Sequence, residues 1–367
     1  MQPLAKRAYF QLRKLVLSAG ALLLPKRRMP EPGSIKSILV VRTDCLGDAV
    51  LSLPFFESVR RAHDRAHMTI LCRADLADLV GGASGADAVI GYTGLSTGLL
   101  ARLRAAHYDL AIDAVLDSDL LTAVICRASG ARFCVGFESR DRGVILDQAV
   151  AVAGQRHFTE ELAELAAALG LPEERSEPKL RLSRSQLDQA RASLAARGIA
   201  PADKLLFIHP GGHYRAQRWP AGRFAHAAAS ARRCFGCKVI AAAGPAEASE
   251  LETIRDIARP DAVFLGPTTL DLASLIALSG VFAGNNSGPL HLAGALGVPT
   301  VSTMGPSDPV RWRPLGRHVA VLKACDFGAG DDVSLIPEAA FAAALNDMSA
   351  YAKPLGERYE LCLRASG

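Results

Sequence analysis

Residues Gly284 to Pro314 read GNNSGPLHLAGALGVPTVSTMGPSDPVRWRP. Around Gly284 the run VFAGN is apolar and of strand length. Asn285 to Pro289 form an abrupt turn of small and polar residues, and LHLAGALG has the composition of a buried helix. PTVSTMG is a second apolar strand that leads into a second loop, GPSDP. A strand, a turn and a helix start in this order leave backbone N–H groups and the positive end of a helix dipole at the turn, which suits a phosphate. The stretch therefore predicts an anion-binding turn inside an α/β domain.

Working outward, the same pattern recurs. LLFIHPGG, a helix over Phe224 to Phe235, KVIAAAG, AVFLG, a short helix near Leu272 to Leu278, VFAGN and PTVSTMG form one series. An earlier series begins at Ser37 with SILVVR and continues with a helical LGDAVLSLPFFESVRRAH, then MTILC, AVIGY, LAIDAV and FCVGF. Short apolar strands alternating with helices mean parallel sheets covered on both faces. A helix over Glu160 to Leu169 and a polar linker over Pro172 to Ser185 separate the two series. The expectation is two doubly wound domains in tandem with a cleft implied between them: a basic segment 1–34, an N-terminal domain 35–180, a C-terminal domain 181–345 and a helical tail 346–367. Ligands in such sheets bind beyond the carboxyl ends of the strands. The loops to watch are therefore Thr43 to Asp48, His209 to Trp219, Gly244 to Glu247, Gly284 to Pro289 and Gly305 to Asp308.

Composition bounds the partners. The chain has 367 residues, half of them apolar, and a formal net charge of +5. That excess comes from the first 28 residues, with Lys6, Arg7, Arg13, Lys14, Lys26, Arg27, Arg28 and no acid. The remainder is close to neutral, which argues against nucleic acid as a partner. The N-terminal apolar run is too short to span a bilayer, and it ends in Pro25-Lys26-Arg27-Arg28 rather than in a cleavage site. A basic amphipathic helix in peripheral contact with an anionic membrane fits the charge and length; a helix packed on the adjoining domain is the alternative. The eight cysteines are scattered. Cys234 and Cys237 have metal or redox spacing but no second pair, so no metal site is expected. With no disulfide framework, a cytoplasmic setting is expected, on the inner face of the plasma membrane if the N-terminal segment binds there.

Three segments carry chemistry. RTDCLGDAVLSLP, Arg42 to Pro54, puts Asp44 and Asp48 in the first strand-to-helix turn, with Gly47 allowing close backbone approach. Asp48 reads equally as a helix cap or as a base that takes a proton from a substrate hydroxyl. IHPGGHYRAQRWP, Ile208 to Pro220, follows a strand with two glycines and then Arg215, Gln217 and Arg218, whose cations suit a diphosphate. His209 and His213 lack metal partners at suitable spacing and read as polar lining.

Taken together, these segments resemble glycosyltransferase family 9, the heptosyltransferases of lipopolysaccharide assembly and their relatives. The resemblance spans roughly Ser37 to Pro314. It rests on five collinear motifs: ILVVRTDCLGDAVLSLP, RHFTEELAELAAALGL, IHPGGHYRAQRWP, AAAGPAE and GNNSGPLHLAGALGVPTVSTMGPSDP. It implies a GT-B fold of two Rossmann-like domains, with the acceptor site in the first and the nucleotide-sugar site in the second. The implied reaction is inverting and metal-independent, with no cofactor beyond a nucleotide-diphosphate sugar, of which an ADP-heptose-like donor is one, and with a glycolipid or polysaccharide acceptor.

By the same resemblance Asp48 matches the general base. Ser287, Gly288 and His291 match positions that hold the donor diphosphate and ribose, Glu247 matches an acid near the nucleoside, and Thr303, Gly305 and Pro306 line the same pocket. The chain departs from the family at Asn286, where an aspartate is usual, and at Gln217, where a lysine is frequent. Both departures bear on donor contacts. Two further readings remain: a nucleotide-sugar epimerase or hydrolase on this fold, and a sugar-binding scaffold without turnover.

Overall fold

A computed structural model describes residues 26–366 apart from 117–119, 140, 155 and 172–176. Most of the expected basic N-terminal helix and the start of the expected linker thus lie outside the described residues. The chain divides into two compact units. One comprises residues 1–44 and 55–175; the other comprises Cys45–Pro54 and residues 176–367.

The first unit is built on β1 (Ser37–Arg42), β2 (His67–Arg73), β3 (Ala88–Tyr92), β4 (Leu110–Asp113), β5 (Phe133–Glu138) and β6 (Gln148–Ala151). They form one sheet in the order β3-β2-β1-β4-β5-β6, and every pairing is parallel. Ile38 to Val41 are fully buried, as a strand covered on both faces requires. Two arginines are also fully buried. Arg42, at the end of β1, pairs with Asp44 at 3.1 Å and lies 4.7 Å over the Phe158 ring. Arg142 pairs with Asp113 at the end of β4, and the Thr122 hydroxyl donates to that carboxylate at 3.1 Å. Buried charges persist only when paired and hydrogen-bonded, and both meet that condition.

The second unit holds β7 (Leu205–His209), β8 (Lys238–Ala243), β9 (Ala262–Leu265), β10 (Val281–Asn285), β11 (Thr300–Met304) and β12 (Val319–Lys323). Their order is β12-β11-β10-β7-β8-β9, again wholly parallel. Within each unit the strands follow the dinucleotide-binding order, and the order reverses between the first and fourth strands. In the second unit that switch point lies between β7 and β10. Its core centres on Trp219, whose ring stacks on Phe341 at 4.6 Å, meets Phe224 edge-on at 4.9 Å and donates through Nε1 to the Ile336 carbonyl. The C-terminal helix Leu355–Ser366 closes the far side: buried Arg358 donates to the carbonyls of Ala277, Leu296 and Gly297 at 2.9 to 3.1 Å. Those carbonyls are the orphan acceptors where two helices end.

Candidate active site

The opening stretch folds as its pattern demands. β10 is buried throughout and ends at Asn285, and the helix Gly288–Ala295 begins three residues on. Ser287 occupies the N-cap in extended conformation (φ −156°, ψ 171°), but its hydroxyl turns back to the Asn285 carbonyl at 3.2 Å. Ser287 gives no side-chain cap; Pro289 has no N–H and the Leu290 amide donates to the Ser287 carbonyl at 3.0 Å, which leaves the Gly288 amide to an anionic ligand. Asn286 is half-buried, and its amide donates to the Thr303 carbonyl at 3.0 Å. His291, one turn into the helix, is buried.

The short helix that carries Asp48 packs against this one. That short helix, Leu46–Leu51, has Cys45 at the N-cap, so Asp48 is a half-buried residue of the first turn and not the cap. The two helices pack through glycines. A Cβ on Gly47 would lie 2.7 Å from His291 Cδ2, and a Cβ on Gly288 would lie 2.7 Å from Leu46 Cβ. Real Cβ atoms do not approach so closely, so these glycines permit the contact. Asp44, at the other end of the same motif, belongs to the first unit and pairs with Arg42.

The loop after β7 leaves the strand that pairs with β10. The Pro210 and Gly211 carbonyls accept from the Asn285 side-chain amide at 2.7 and 3.2 Å, and the Gly212 carbonyl accepts from Arg218 Nε at 2.8 Å. In a trans peptide the next N–H points opposite to the carbonyl. The amides of Gly211, Gly212 and His213 are therefore turned away from those side chains, and none has a hydrogen-bond partner among the described residues. Successive unpartnered amides in a turn suit an anion.

Arg218 is engaged elsewhere. It donates to Glu247 at 2.8 Å and to Glu250 at 2.9 Å, which makes it a brace for two carboxylates. Burial pushes the Glu250 carboxyl up, but Ser249, its own backbone amide and Arg218 together hold it below its ordinary value. The Glu247 carboxylate folds over Gly244 and Gly211; a Cβ on either would sit 2.8 Å from its Oε2 or 3.3 Å from its Cδ. Arg215 is exposed; its carbonyl accepts from the Arg218 amide at 3.0 Å, while its guanidinium makes no hydrogen bond or ion pair among the described residues. Gln217 donates to the Ser307 hydroxyl at 2.7 Å.

The second loop, Gly305 to Ser307, is held from below. Lys323 Nζ donates to the Gly305 and Ser307 carbonyls. Gly305 itself is wedged where a Cβ would meet the Asp331 carbonyl at 2.9 Å and that of Ala216 at 3.1 Å. Pro306 is exposed at its tip. Thr303, fully buried, donates to Asn285 Oδ1 at 2.8 Å. Asp48, Gly47, Gln217, Arg218, Glu247, Asn286, Ser287, Gly288, His291, Thr303, Gly305 and Pro306 all belong to the second unit. Lys323 and Asn285 are absent from the expected set. Both act on backbone carbonyls, for which a sequence has no signature. Among the described residues no group of three or more His, Cys, Asp or Glu is arranged to hold a metal ion. Cys237 is buried, and burial pushes its thiol up to about 12; Cys234 is exposed.

Two parallel sheets of dinucleotide-binding order, one in each unit, are the architecture of the GT-B fold. Residues 97–335 match the sequence profile of glycosyltransferase family 9 (heptosyltransferase), and the chain belongs to that family. Similar proteins include lipopolysaccharide heptosyltransferase 3 of Escherichia coli strain K12, 24% identical over 293 residues that cover 74% of this chain and 83% of the other. Among solved structures, the family 9 glycosyl transferase from Veillonella parvula superposes with a TM-score of 0.78 at 22% identity, covering 89% of this chain and 99% of that one. ADP-heptose LPS heptosyltransferase II of E. coli superposes at 0.73 with 20% identity, covering 86% and 98%.

Proposed function

We propose that this chain transfers a sugar, with heptose the leading candidate, from a nucleotide-diphosphate donor of the ADP-heptose kind to a lipopolysaccharide or other envelope glycan, with inversion and without a metal. The observation that carries this reading is the glycine-mediated packing of the Asp48 helix on the helix Gly288–Ala295. That packing brings the helix bearing Asp48 beside a turn that offers the Gly288 amide to a diphosphate. Asp48 removes the proton from an acceptor hydroxyl. The resulting oxygen attacks the anomeric carbon on the face opposite the diphosphate. The anomeric carbon–oxygen bond breaks, and the nucleoside diphosphate leaves with the electron pair. Charge on the leaving group is met by the amides at Gly288 and at Gly211 to His213 and by Arg215. His291, Asn286 and Thr303 to Pro306 line the donor pocket, and Arg218 holds Glu247 where a nucleoside amine or hydroxyl can meet it.

The names of the relatives support donor and acceptor class: one is a lipopolysaccharide heptosyltransferase, the other an ADP-heptose LPS heptosyltransferase. The decisive variant is Asp48→Asn. It is expected to bind ADP with a Kd close to the parent's and to lose at least about a hundredfold in turnover; near-normal turnover would overturn the role of Asp48. EDTA is expected to leave the rate unchanged, and a rate that needs added Mg²⁺ would overturn metal independence. Peripheral contact of the N-terminal basic segment with an anionic membrane face belongs to the same proposal. No helix among the described residues is long and apolar enough to cross a membrane.

A further inference from the structure

Asn285 is fully buried, and its carboxamide uses both of its ends. Oδ1 accepts from the Trp219 backbone amide at 2.9 Å and from the Thr303 hydroxyl at 2.8 Å. Nδ2 donates to the Pro210 and Gly211 carbonyls at 2.7 and 3.2 Å. Pro210 and Trp219 are the two ends of one loop, the loop that carries Arg215, Gln217 and Arg218. A single side chain thus clips that loop at both ends and ties it to the end of β11. The base is anchored further by Trp219, whose indole donates to Ile336 and stacks on Phe341.

We propose that Asn285 is the positioning residue of the donor site, and that its neutral carboxamide sets the direction of the loop amides that receive the donor diphosphate. This rests on the donor-site reading above. The chemistry required is narrow. Two donors must face two carbonyls on one side, and two lone pairs must face an N–H and an O–H on the other. Leucine and methionine supply neither. A carboxylate supplies the acceptors but sets a negative oxygen against the carbonyls of Pro210 and Gly211. Those peptides then turn, and because each carbonyl is rigidly antiparallel to the following N–H, the amides of Gly211 and Gly212 turn with them. The neighbouring Asn286, which departs from the family's usual aspartate, has no such constraint: among the described residues its backbone amide alone is engaged, with Thr303.

Asn285→Asp tests this directly, because protonation restores what ionisation removes. A protonated carboxyl has one O–H to give to a loop carbonyl and keeps a carbonyl oxygen for Trp219 and Thr303. Burial raises the pKa of such a carboxyl. ADP binding by the full chain is measured by calorimetry from about pH 8 to about pH 5.5, alongside thermal unfolding. The expected result is a Kd weakened at least about tenfold at the high end and recovering as the pH falls, while the parent's Kd lacks this recovery. A folded Asn285→Asp protein whose Kd tracks the parent's at every pH overturns the proposal.

If that variant does not fold, Asn285→Ala decides. It is expected to raise the donor KM about tenfold or more with the acceptor KM within about threefold, and an unchanged donor KM overturns the role. Failure of the reading beneath is distinguishable. If the unaltered protein binds none of ADP, GDP and UDP, the donor site itself is wrong and this inference falls with it.

Discussion

At the scale of single residues, burial decides more than identity. His209 ends β7 and is buried; burial, with Arg218 adding to it, takes its imidazole down to about 4. Its pKa in the unfolded chain is near 6.5, so the unfolded state binds the proton more readily. Stability from this group is intact above about pH 6.5 and is lost as the pH falls toward 4. Between about pH 7 and about pH 5 the loss amounts to about 2 kcal/mol. His63, lowered by burial and by Arg60, acts in the same direction. His209→Gln is expected to flatten that part of the stability profile, and thermal melts at the two pH values check it; equal slopes in parent and variant would remove His209 as the cause. The sequence flagged His209 only as polar lining, because burial at a strand end is not written in its immediate neighbours. Arg218 was legible as a cation but not as the partner of Glu247 and Glu250, which lie beyond the next strand.

Elements were largely legible where they are buried on both faces. SILVVR, LLFIH, VFAGN and TVSTM are continuous apolar runs, and each is a strand at the expected place. Of the four edge strands, β3 (AVIGY) and β9 (AVFL) were legible, but β6 and β12 were not: β6 alternates half-buried and exposed residues, and β12 is half-buried throughout. Both have a paired strand on one side only and side chains that are only partly covered, so their apolar pattern is weak. The pairing of the helices Leu46–Leu51 and Gly288–Ala295 was likewise hidden, since only their glycines mark it. Gly47→Ala sets a methyl 2.7 Å from His291 Cδ2. Overpacking of this kind costs about 1 to 3 kcal/mol, and it moves Asp48 relative to the donor turn. Turnover is therefore expected to fall by up to about a hundredfold, more than ADP affinity does. Gly82→Ala is the control: it meets nothing within 4 Å in a helix and should be neutral or stabilising by up to about 1 kcal/mol. A Gly47→Ala enzyme with parental turnover would dissolve the link between the glycine contact and catalysis.

At the scale of the molecule, the two-sheet architecture was legible, whereas the unit to which Cys45–Pro54 belongs was not. Chain continuity with β1 argues for the first unit, but packing against Gly288–Ala295 puts the segment in the second. The basic N-terminus shows a similar division of labour. Its seven cations were counted together in the sequence, yet Lys26 and Arg27 are consumed within the protein. Lys26 donates to the Gly143 carbonyl, and Arg27 pairs with Asp147 at 2.9 Å. The Asp147 side chain is fully buried, and Arg127 also reaches it at 2.8 Å. Burial pushes the Asp147 carboxyl up, but Arg27, through side chain and backbone, and the Cys134 amide bring it below its ordinary value. Removing residues 1–25 and removing residues 1–28 should therefore part company. Both deletions take Lys6, Arg7, Arg13 and Lys14, and both are expected to abolish binding to anionic phospholipid vesicles. Only the longer one strips Arg27 from a buried carboxylate, which costs about 1 to 3 kcal/mol. That stabilisation is present above the carboxylate's unfolded pKa near 4 and vanishes below its folded value, so the two deletions should converge in stability on acidification. Co-sedimentation with vesicles and melts at neutral and acid pH separate the terms. Equal melting of the two proteins at neutral pH would show that Arg27 does not anchor the segment, and vesicle binding by the shorter deletion would place membrane contact elsewhere in the chain.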